Sequence, residues 1–217
     1  MIAQQVKSKE RVVNHGEVFT AQREVNAMCD LVKEETERIE SRFLEPACGN
    51  GNFLAEILRR KLEVVKNRYR KNFFDYERYA VLAISSLYGI DILKDNVKEC
   101  RERLFKIWDK EYVTNVKNLV SGECREAVQY ILKKNIVCGD ALTMKQNDGT
   151  SIIFSEWNFV SVNQIKRRDF AFDELIEAEE REINLFTTEY DEKTKAIVPK
   201  PVKEYPLTDY RQVQNYE

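Results

Sequence analysis

Three acidic residues stand where short apolar runs end. Glu45, Asp91 and Asp140 follow the runs RFL, LYGI and IVCG. Runs of this length and character are typical of buried parallel strands, and open α/β sheets bind ligands beyond the carboxyl ends of their strands. We therefore expect the three carboxylates to share one ligand site, where they could accept hydrogen bonds from hydroxyl and amino groups.

A turn containing two glycines follows the first of these acids. Residues 46–51 read PACGNG, and an apolar pattern of helical spacing begins near Asn52. Glycines let the backbone approach a ligand closely, and the start of a helix offers free N–H groups. Gly49 and Gly51 alone would fit an ordinary tight turn equally well.

The surrounding pattern alternates strands with helices, which predicts an α/β fold with a parallel, doubly wound sheet. The predicted helices cover 21–39, 52–65, 75–85, 94–108, 124–132 and 170–186, and the predicted strands cover 42–45, 87–91, 135–138 and 151–154. We expect residues 1–150 to form a ligand-binding domain with an N-terminal helix. Residues 151–217 are expected to form a connector or insertion with one helix and an extended tail.

Residues 45–53 (EPACGNGNF) resemble the first motif of S-adenosylmethionine-dependent amino-methyltransferases, whose usual form is Asp-Pro-Ala-Cys-Gly-Ser-Gly-x-Phe. The resemblance implies that this loop wraps the methionine part of the cofactor, with the acid near its amino group. The contacts that it implies are Glu45, Ala47, Cys48, Gly49, Gly51, Asn52 and Phe53. Nothing near Cys48 indicates a thiolate, so we interpret it as a small packing residue.

Three further elements are similar to cofactor motifs of the same family and occur in the same order. Phe19 and Thr20 resemble an element that packs over the cofactor, although Thr20 could instead cap the following helix. Asp91 and Ile92 resemble the strand end whose acid binds the ribose hydroxyls, and Asp91 could alternatively be an exposed helix cap. Asp140 and Ala141, in the string GDAL, resemble the strand end whose acid accepts from the adenine amino group.

Together these elements resemble the adenine-N6 DNA methyltransferases of restriction-modification systems, which implies a Rossmann-like class I methyltransferase core and S-adenosylmethionine as cofactor. That family transfers the methyl group with an Asn/Asp-Pro-Pro-Tyr/Phe loop, and this sequence contains no Pro-Pro pair. The nearest phrase is EWNF at 156–159, for which a core role is favoured over a catalytic one. The catalytic residues stay unknown, and we expect the chain to stop before that loop, with the core incomplete on its C-terminal side.

Two functions stay open. The chain is either the cofactor-binding portion of a DNA methyltransferase or a non-catalytic cofactor-binding or assembly subunit, or relic, of a restriction-modification system. The first implies DNA as a partner of the complete enzyme and a second subunit carrying the catalytic loop or target-recognition domain. Apolar surface at the incomplete sheet edge predicts a partner or self-association. Methylation of RNA or protein is a weaker alternative, because cofactor motifs do not specify the acceptor.

The composition argues against several other classes of protein. A net charge of −2 does not favour a strongly basic nucleic-acid binder, and we interpret the cluster at 166–168 (KRR) as a solvated surface rather than a phosphate contact. Five cysteines without Cys-x-x-Cys spacing and a single histidine do not favour a metal site. No apolar run reaches the length of a membrane span, so we expect a cytoplasmic protein without a membrane partner.

Overall fold

A three-stranded parallel sheet forms the centre of the fold in the computed structural model, which describes residues 6–176 and 199–216. Its strands are β1 (Phe43–Glu45), β2 (Leu87–Asp91) and β3 (Ile136–Cys138), in the spatial order β1-β2-β3. Four of the five β2 residues are buried, because this strand lies between two neighbours and beneath helices. The expected mixed α/β class with a parallel sheet is therefore confirmed.

Helices precede and connect these strands. They are α1 (Lys9–His15), α2 (Gln22–Leu31), α3 (Lys33–Thr36), α4 (Asn52–Tyr69), α5 (Phe73–Ser85), α6 (Lys94–Val116) and α7 (Gly122–Asn135), with a short 3₁₀ helix over Lys117–Leu119. Side-chain caps start α5 and α7, where Asn72 and Ser121 accept from backbone N–H groups of the first turn. Among the described residues, no helix combines the length and the apolar character needed to cross a membrane.

The predicted helix over 21–39 is wrong in its second half. Helix α2 ends at Leu31, α3 covers only one turn, and the buried Ile39 lies beyond both. A polar cluster closes this turn, because the Ser41 hydroxyl donates to Glu35 (2.6 Å) and accepts from Arg38 (2.6 Å). Side chains that bond locally in this way compete with continued helix.

An antiparallel hairpin follows the parallel sheet. Its strands are β4 (Ile153–Phe159) and β5 (Gln164–Ala171), and the short strands β6 (Lys203–Glu204) and β7 (Thr208–Asp209) pair with β5. The predicted helix over 170–186 is wrong at its start, because Phe170 pairs with Phe154 inside the hairpin. Residues 172–176 are helical, and the rest of that prediction lies outside the described residues.

The hairpin and the C-terminal segment share the main hydrophobic core. Trp157 and Ile165 of the hairpin belong to the same buried cluster as the helices α4 to α7. Tyr210 and Val213 also join it from a 3₁₀ helix over Tyr210–Asn215, which packs against α7. Residues after 150 therefore contribute to the core around the parallel sheet.

A buried carboxylate fastens this C-terminal helix to the core. Glu77 of α5 is fully buried and accepts hydrogen bonds from the Tyr210 hydroxyl (2.6 Å) and from Nε of Arg211 (2.7 Å). The hydroxyl of Tyr112, on α6, also donates to Glu77. A charge buried without such partners would be very costly, so these contacts make the C-terminal segment part of the interior.

Candidate ligand-binding site

A cavity of about 680 Å³ opens at the carboxyl ends of the three parallel strands. Segments that follow each strand line it, together with residues 16–20, which precede α2. The predicted site residues in its wall are Phe19, Thr20, Glu45, Ala47, Cys48, Gly49, Asn52, Phe53, Asp91, Ile92, Asp140 and Ala141. Four segments that are distant in sequence therefore meet around one space.

The turn after β1 is held by backbone contacts to β2. The Cys48 N–H donates to the Ile90 carbonyl (2.8 Å), and the Gly49 N–H donates to Oδ2 of Asp91 (2.9 Å). Gly49 has a φ of +51°, and a Cβ atom there would lie 3.0 Å from the Phe19 ring. The turn thus requires glycine at this position, and Phe19 packs directly against it.

Gly51 is the one predicted contact that the structure does not place in the cavity wall. It is buried at the start of α4 with a φ of +83°, and a Cβ atom there would lie 2.7 Å from Sγ of Cys100. Its small size serves the packing of α4 against α6. As N-cap of α4 it supplies no side-chain hydrogen bond, so the N–H groups of the first helical turn have no capping side chain.

Asp91 lies in the wall of the cavity and accepts several hydrogen bonds there. Besides the Gly49 N–H, its carboxylate accepts from the Leu93 N–H (2.8 Å) and from Nδ2 of Asn96 (3.2 Å). The alternative of an exposed helix cap is wrong, because Asp91 is half-buried and Leu93 is the N-cap of α6. A carboxylate has about four acceptor positions, so capacity remains for a further donor.

The other two strand-end carboxylates differ in their surroundings. Burial raises the pKa of Glu45, and one weak backbone contact, from the Ala47 N–H at 3.4 Å, offsets this only in part. Asp140 is half-buried and accepts from the Leu142 N–H at 2.9 Å. A cationic ligand group beside Glu45 would therefore favour its ionised form.

Asn52 ties the N-terminal segment to the start of α4. Its Nδ2 donates to the Thr20 carbonyl (2.9 Å), and its Oδ1 accepts from Arg103 (2.5 Å). The alternative role of Thr20 as a helix cap is wrong, because Ala21 is the N-cap of α2 and makes no side-chain bond. Thr20 instead lies in the cavity wall, held there through its backbone.

Besides Asn50, which lies within the predicted glycine turn, sequence reasoning missed two polar residues in the wall, Glu17 and Asn96. The Glu17 side chain, only 7% exposed, pairs with Arg11 at 2.5 Å and accepts from Nδ2 of Asn96 at 2.6 Å. The hydrogen bond from Arg11 lowers the pKa of Glu17. The position of Asn96 in the first turn of α6, five residues after Asp91, was the available clue. Glu17 carried no such clue, since its partner Asn96 is 79 positions away and its contact with Arg11 follows no periodic pattern.

Cys48 is a buried, neutral thiol. The adjacent Cys100 thiol and burial both raise its pKa, so a thiolate is disfavoured. This agrees with a packing role in the turn. Across the described parts of the chain, no group of three or more His, Cys, Asp or Glu side chains is arranged to hold a metal ion.

The basic cluster at 166–168 lies away from this cavity and is paired within the protein. Lys166 contacts Glu204 (2.9 Å), and Arg168 contacts Glu156 (2.5 Å). Arg167 is buried against Asp169 (2.7 Å) rather than solvated. The acids that pair with this cluster lie on the hairpin and on β6. Because Arg167 is buried, the expectation that the whole cluster is a solvated surface is wrong for this residue. The phrase EWNF is on β4 and does not line the cavity.

Comparison of the chain with models of known protein families, with curated proteins and with solved structures gives no match. The candidate site therefore stands on its own geometry. That geometry is a cavity with three acids at strand ends, a glycine turn and an aromatic side chain packed against the turn.

Proposed function

We propose that this chain binds S-adenosylmethionine as the cofactor half of a DNA adenine-N6 methyltransferase with a Rossmann-like, doubly wound core. One observation carries the proposal. The segments 19–20, 45–53, 91–92 and 139–142, each of which resembles a cofactor motif, all contribute to the wall of a single cavity.

The chemistry of the cavity wall suits this cofactor. Its volume of about 680 Å³ falls within the roughly 300–1,000 Å³ common for small-molecule sites. The cofactor presents three hydrogen-bond donors, namely an ammonium group, a ribose diol and an adenine amino group. We assign Glu45, Asp91 and Asp140 to these donors in that order, since carboxylates accept from all three.

The remaining wall residues bind and orient. The turn at Gly49 permits close approach of the backbone, and the uncapped N–H groups at the start of α4 suit the carboxylate of the methionine part. Phe19, packed on the turn, excludes water from one side. When bound, the sulfonium group supplies an activated methyl and its own leaving group.

The acceptor side of the reaction requires residues other than those of this sequence, which has no Pro-Pro pair. In the described residues β1 pairs only with β2, and Leu44 at its other edge is 41% exposed. An apolar groove of about 410 Å³ lies beside this edge, with Phe43, Phe154 and Phe172 among its lining residues. These features support the addition of another polypeptide segment there.

Calorimetric titration with S-adenosylmethionine, S-adenosylhomocysteine and adenosine tests the proposal. We expect micromolar dissociation constants for the first two ligands and binding at least tenfold weaker for adenosine, which lacks the ammonium partner of Glu45. A folded chain that binds neither of the first two ligands at millimolar concentration would refute the proposal.

The absence of a Pro-Pro pair favours a second candidate, a cofactor-binding or assembly subunit that does not transfer methyl groups. The two candidates differ in one assay. The chain is mixed with a partner carrying an Asn-Pro-Pro-Tyr loop, and transfer of labelled methyl groups to adenine-containing DNA is measured. Transfer above that of the partner alone supports the enzyme, and cofactor binding without transfer supports the subunit.

A further inference from the structure

A second cavity, of about 460 Å³, lies at the amino ends of the parallel strands, opposite the first cavity. Arg42 and Ser86, which directly precede β1 and β2, contribute to its wall, so it opens at the amino ends of these strands. The end of α4, the helix α5 and the strand β4 complete it. None of its lining residues belongs to the wall of the cofactor cavity.

Arginine side chains dominate the charge of this second cavity. Arg42, Arg68 and Arg78 line it, and Glu40 is the acid in its wall. Arg42 is engaged by Glu156, outside the wall, at 2.8 Å. The wall thus holds three guanidinium groups and one carboxylate, and Glu156 is shared with Arg168, which leaves a net positive charge to attract an anion.

Arg78 has unused hydrogen-bonding capacity. Its guanidinium carbon lies 4.7 Å from the ring centroid of Tyr79 and 6.0 Å from that of Phe159, and it donates one bond, of 3.2 Å, to the Tyr79 hydroxyl. Its Nε is shielded from solvent and has no hydrogen-bond partner within the part of the chain that the structure describes. A guanidinium carries five N–H donors, so the terminal nitrogens of Arg78 keep donors for a ligand in the cavity beyond the bond to Tyr79.

Aromatic rings form much of the remaining wall. Tyr69 and Tyr79 stack on each other with centroids 4.1 Å apart and an interplanar angle of 5°. Trp157 and Phe159 approach from β4. A wall of this kind can pack against a planar ring, while the guanidinium groups suit a phosphate, which arginine binds with two parallel N–H···O contacts.

We propose that this cavity is a second ligand site, which takes a small phosphate ester that carries a planar ring, such as a nucleoside monophosphate. Arg78 and Arg68 bind the phosphate, and the aromatic wall packs against the ring. Since the cavity shares no lining residue with the cofactor site, both ligands can bind at the same time. The proposal is independent of the methyltransferase function.

Titration with uridine 5′-monophosphate tests this proposal without an adenine ring that could enter the cofactor cavity. The measurement is made with and without excess S-adenosylhomocysteine. We expect a submillimolar dissociation constant in both cases, weakened by added salt, and binding at least tenfold weaker for uridine and for inorganic phosphate. No binding of the monophosphate at millimolar concentration, or competition by S-adenosylhomocysteine, would overturn the proposal.

Two variants locate the site. Arg78→Gln should weaken monophosphate binding at least tenfold, and Arg68→Gln, at an exposed side chain whose loss does not threaten folding, should weaken it severalfold. Arg125→Gln is the matched control, since Arg125 also lies over an aromatic ring, at 6.0 Å from Phe105, but does not line this cavity. Monophosphate affinity that is the same in Arg68→Gln as in the wild-type protein, or equally weakened in the control, would contradict the assignment.

A short oligothymidylate then distinguishes the two sources of such a phosphate. Binding tighter than that of the monophosphate and sensitive to Arg68→Gln assigns the site to a nucleic-acid backbone with its bases. Oligothymidylate binding that is equal to or weaker than that of the monophosphate assigns the site to free nucleotides, since the cavity then accepts a single nucleotide only. Both outcomes retain the phosphate site.

Discussion

Oδ2 of Asp91 accepts a hydrogen bond of 2.9 Å from the backbone N–H of Gly49. The last residue of β2 thus holds the turn that follows β1 in place relative to the end of β2. An acid that is expected to bind a ligand hydroxyl also shapes the loop that approaches the same ligand. The two roles can be separated by experiment.

Replacing Asp91 should affect both roles. We expect Asp91→Ala to weaken S-adenosylhomocysteine binding by about 2–3 kcal/mol and to lower the free energy of unfolding by about 1–3 kcal/mol, because backbone donors lose a charged acceptor. Calorimetry and urea unfolding measure the two effects. The control is Asp109→Asn, because Asp109 is also a paired acid, with Arg125 as its partner, but does not line the cavity. Affinity unchanged in Asp91→Ala would refute the ribose assignment.

Glu45 should make cofactor binding depend on pH. Burial raises its pKa in the free protein, and the cofactor ammonium group favours the ionised form. Affinity should therefore fall as pH decreases through this raised pKa, which lies above the usual glutamate range of about 4 to 4.5. Calorimetry of S-adenosylmethionine between pH 4.5 and 7.5 should show this decrease in the wild-type protein and a nearly flat profile in Glu45→Gln.

The same substitution should act on stability in the opposite direction. A carboxyl whose folded pKa is raised destabilises the fold once it ionises, that is, as pH rises from the unfolded to the folded pKa. Glu45→Gln should therefore be at least as stable as the wild-type protein at pH 7, although it binds the cofactor less tightly. A variant that loses stability and affinity together would indicate a structural role for Glu45.

Gly49 should not tolerate a side chain. Gly49→Ala places a Cβ atom 3.0 Å from the Phe19 ring at a φ of +51°. We expect a loss of about 1–2 kcal/mol of stability and at least tenfold weaker S-adenosylhomocysteine binding. Gly122→Ala is the control, because nothing lies within 4 Å of its added Cβ atom and it sits in α7. Its stability should be unchanged or slightly higher, and similar losses at both positions would contradict the prediction.

Arg11 should stabilise the N-terminal segment while its partners Glu17 and Asp95 are ionised. The Arg11 hydrogen bond lowers the pKa of Glu17, so its contribution is complete above the unfolded pKa of about 4.3 and is lost as pH falls through the lower folded value. Arg11→Gln should cost about 1–2 kcal/mol at pH 7. Urea unfolding at pH 7, 5 and 3.5 should show that the difference in stability between the wild-type protein and Arg11→Gln decreases as the pH falls. A difference that is the same at all three pH values would contradict the prediction.

The buried ion pair between Arg211 and Glu77 should matter more than a surface pair. We expect Arg211→Met to destabilise the protein by about 3 kcal/mol, because it leaves a buried carboxylate without its cation. Arg125→Met, which removes a more exposed partner of Asp109, should cost less than about 1 kcal/mol. Adding Glu77→Gln to Arg211→Met should recover part of the loss, and equal costs for the two arginine variants would contradict this account.

The parallel sheet was predictable because its strands depend on local patterns, whereas the residues expected around the ligand came from the family resemblance. The runs that end at Glu45, Asp91 and Asp140 are short, apolar and bounded by turn residues, and β1, β2 and β3 lie within one residue of their predicted bounds. The glycine turn was recognisable because its φ values leave few alternatives at Gly49. Whether the cavity binds the cofactor stays a prediction.

The hairpin and its ion pairs could not be predicted because they depend on distant partners. Lys166, Arg167 and Arg168 form a polar run that is typical of a surface, yet Arg167 is buried. Its burial is possible because Asp169 and the Tyr130 hydroxyl (2.7 Å) satisfy the guanidinium. The predicted extent of the helix that begins with α2 was wrong for a different reason, because the local contacts of Ser41 with Glu35 and Arg38 have no periodic pattern.

The contact between Glu77 and Arg211 spans 134 positions of the chain. A ribosome that adds about 5–20 residues per second needs roughly 7 to 27 seconds to cover that distance. Throughout this interval the nascent chain holds the Glu77 carboxylate without the guanidinium that makes its burial tolerable. We therefore expect the interface between α5 and α6 to stay accessible to water and to chaperones until the late-synthesised segment reaches it, which hydrogen exchange of stalled nascent chains would test.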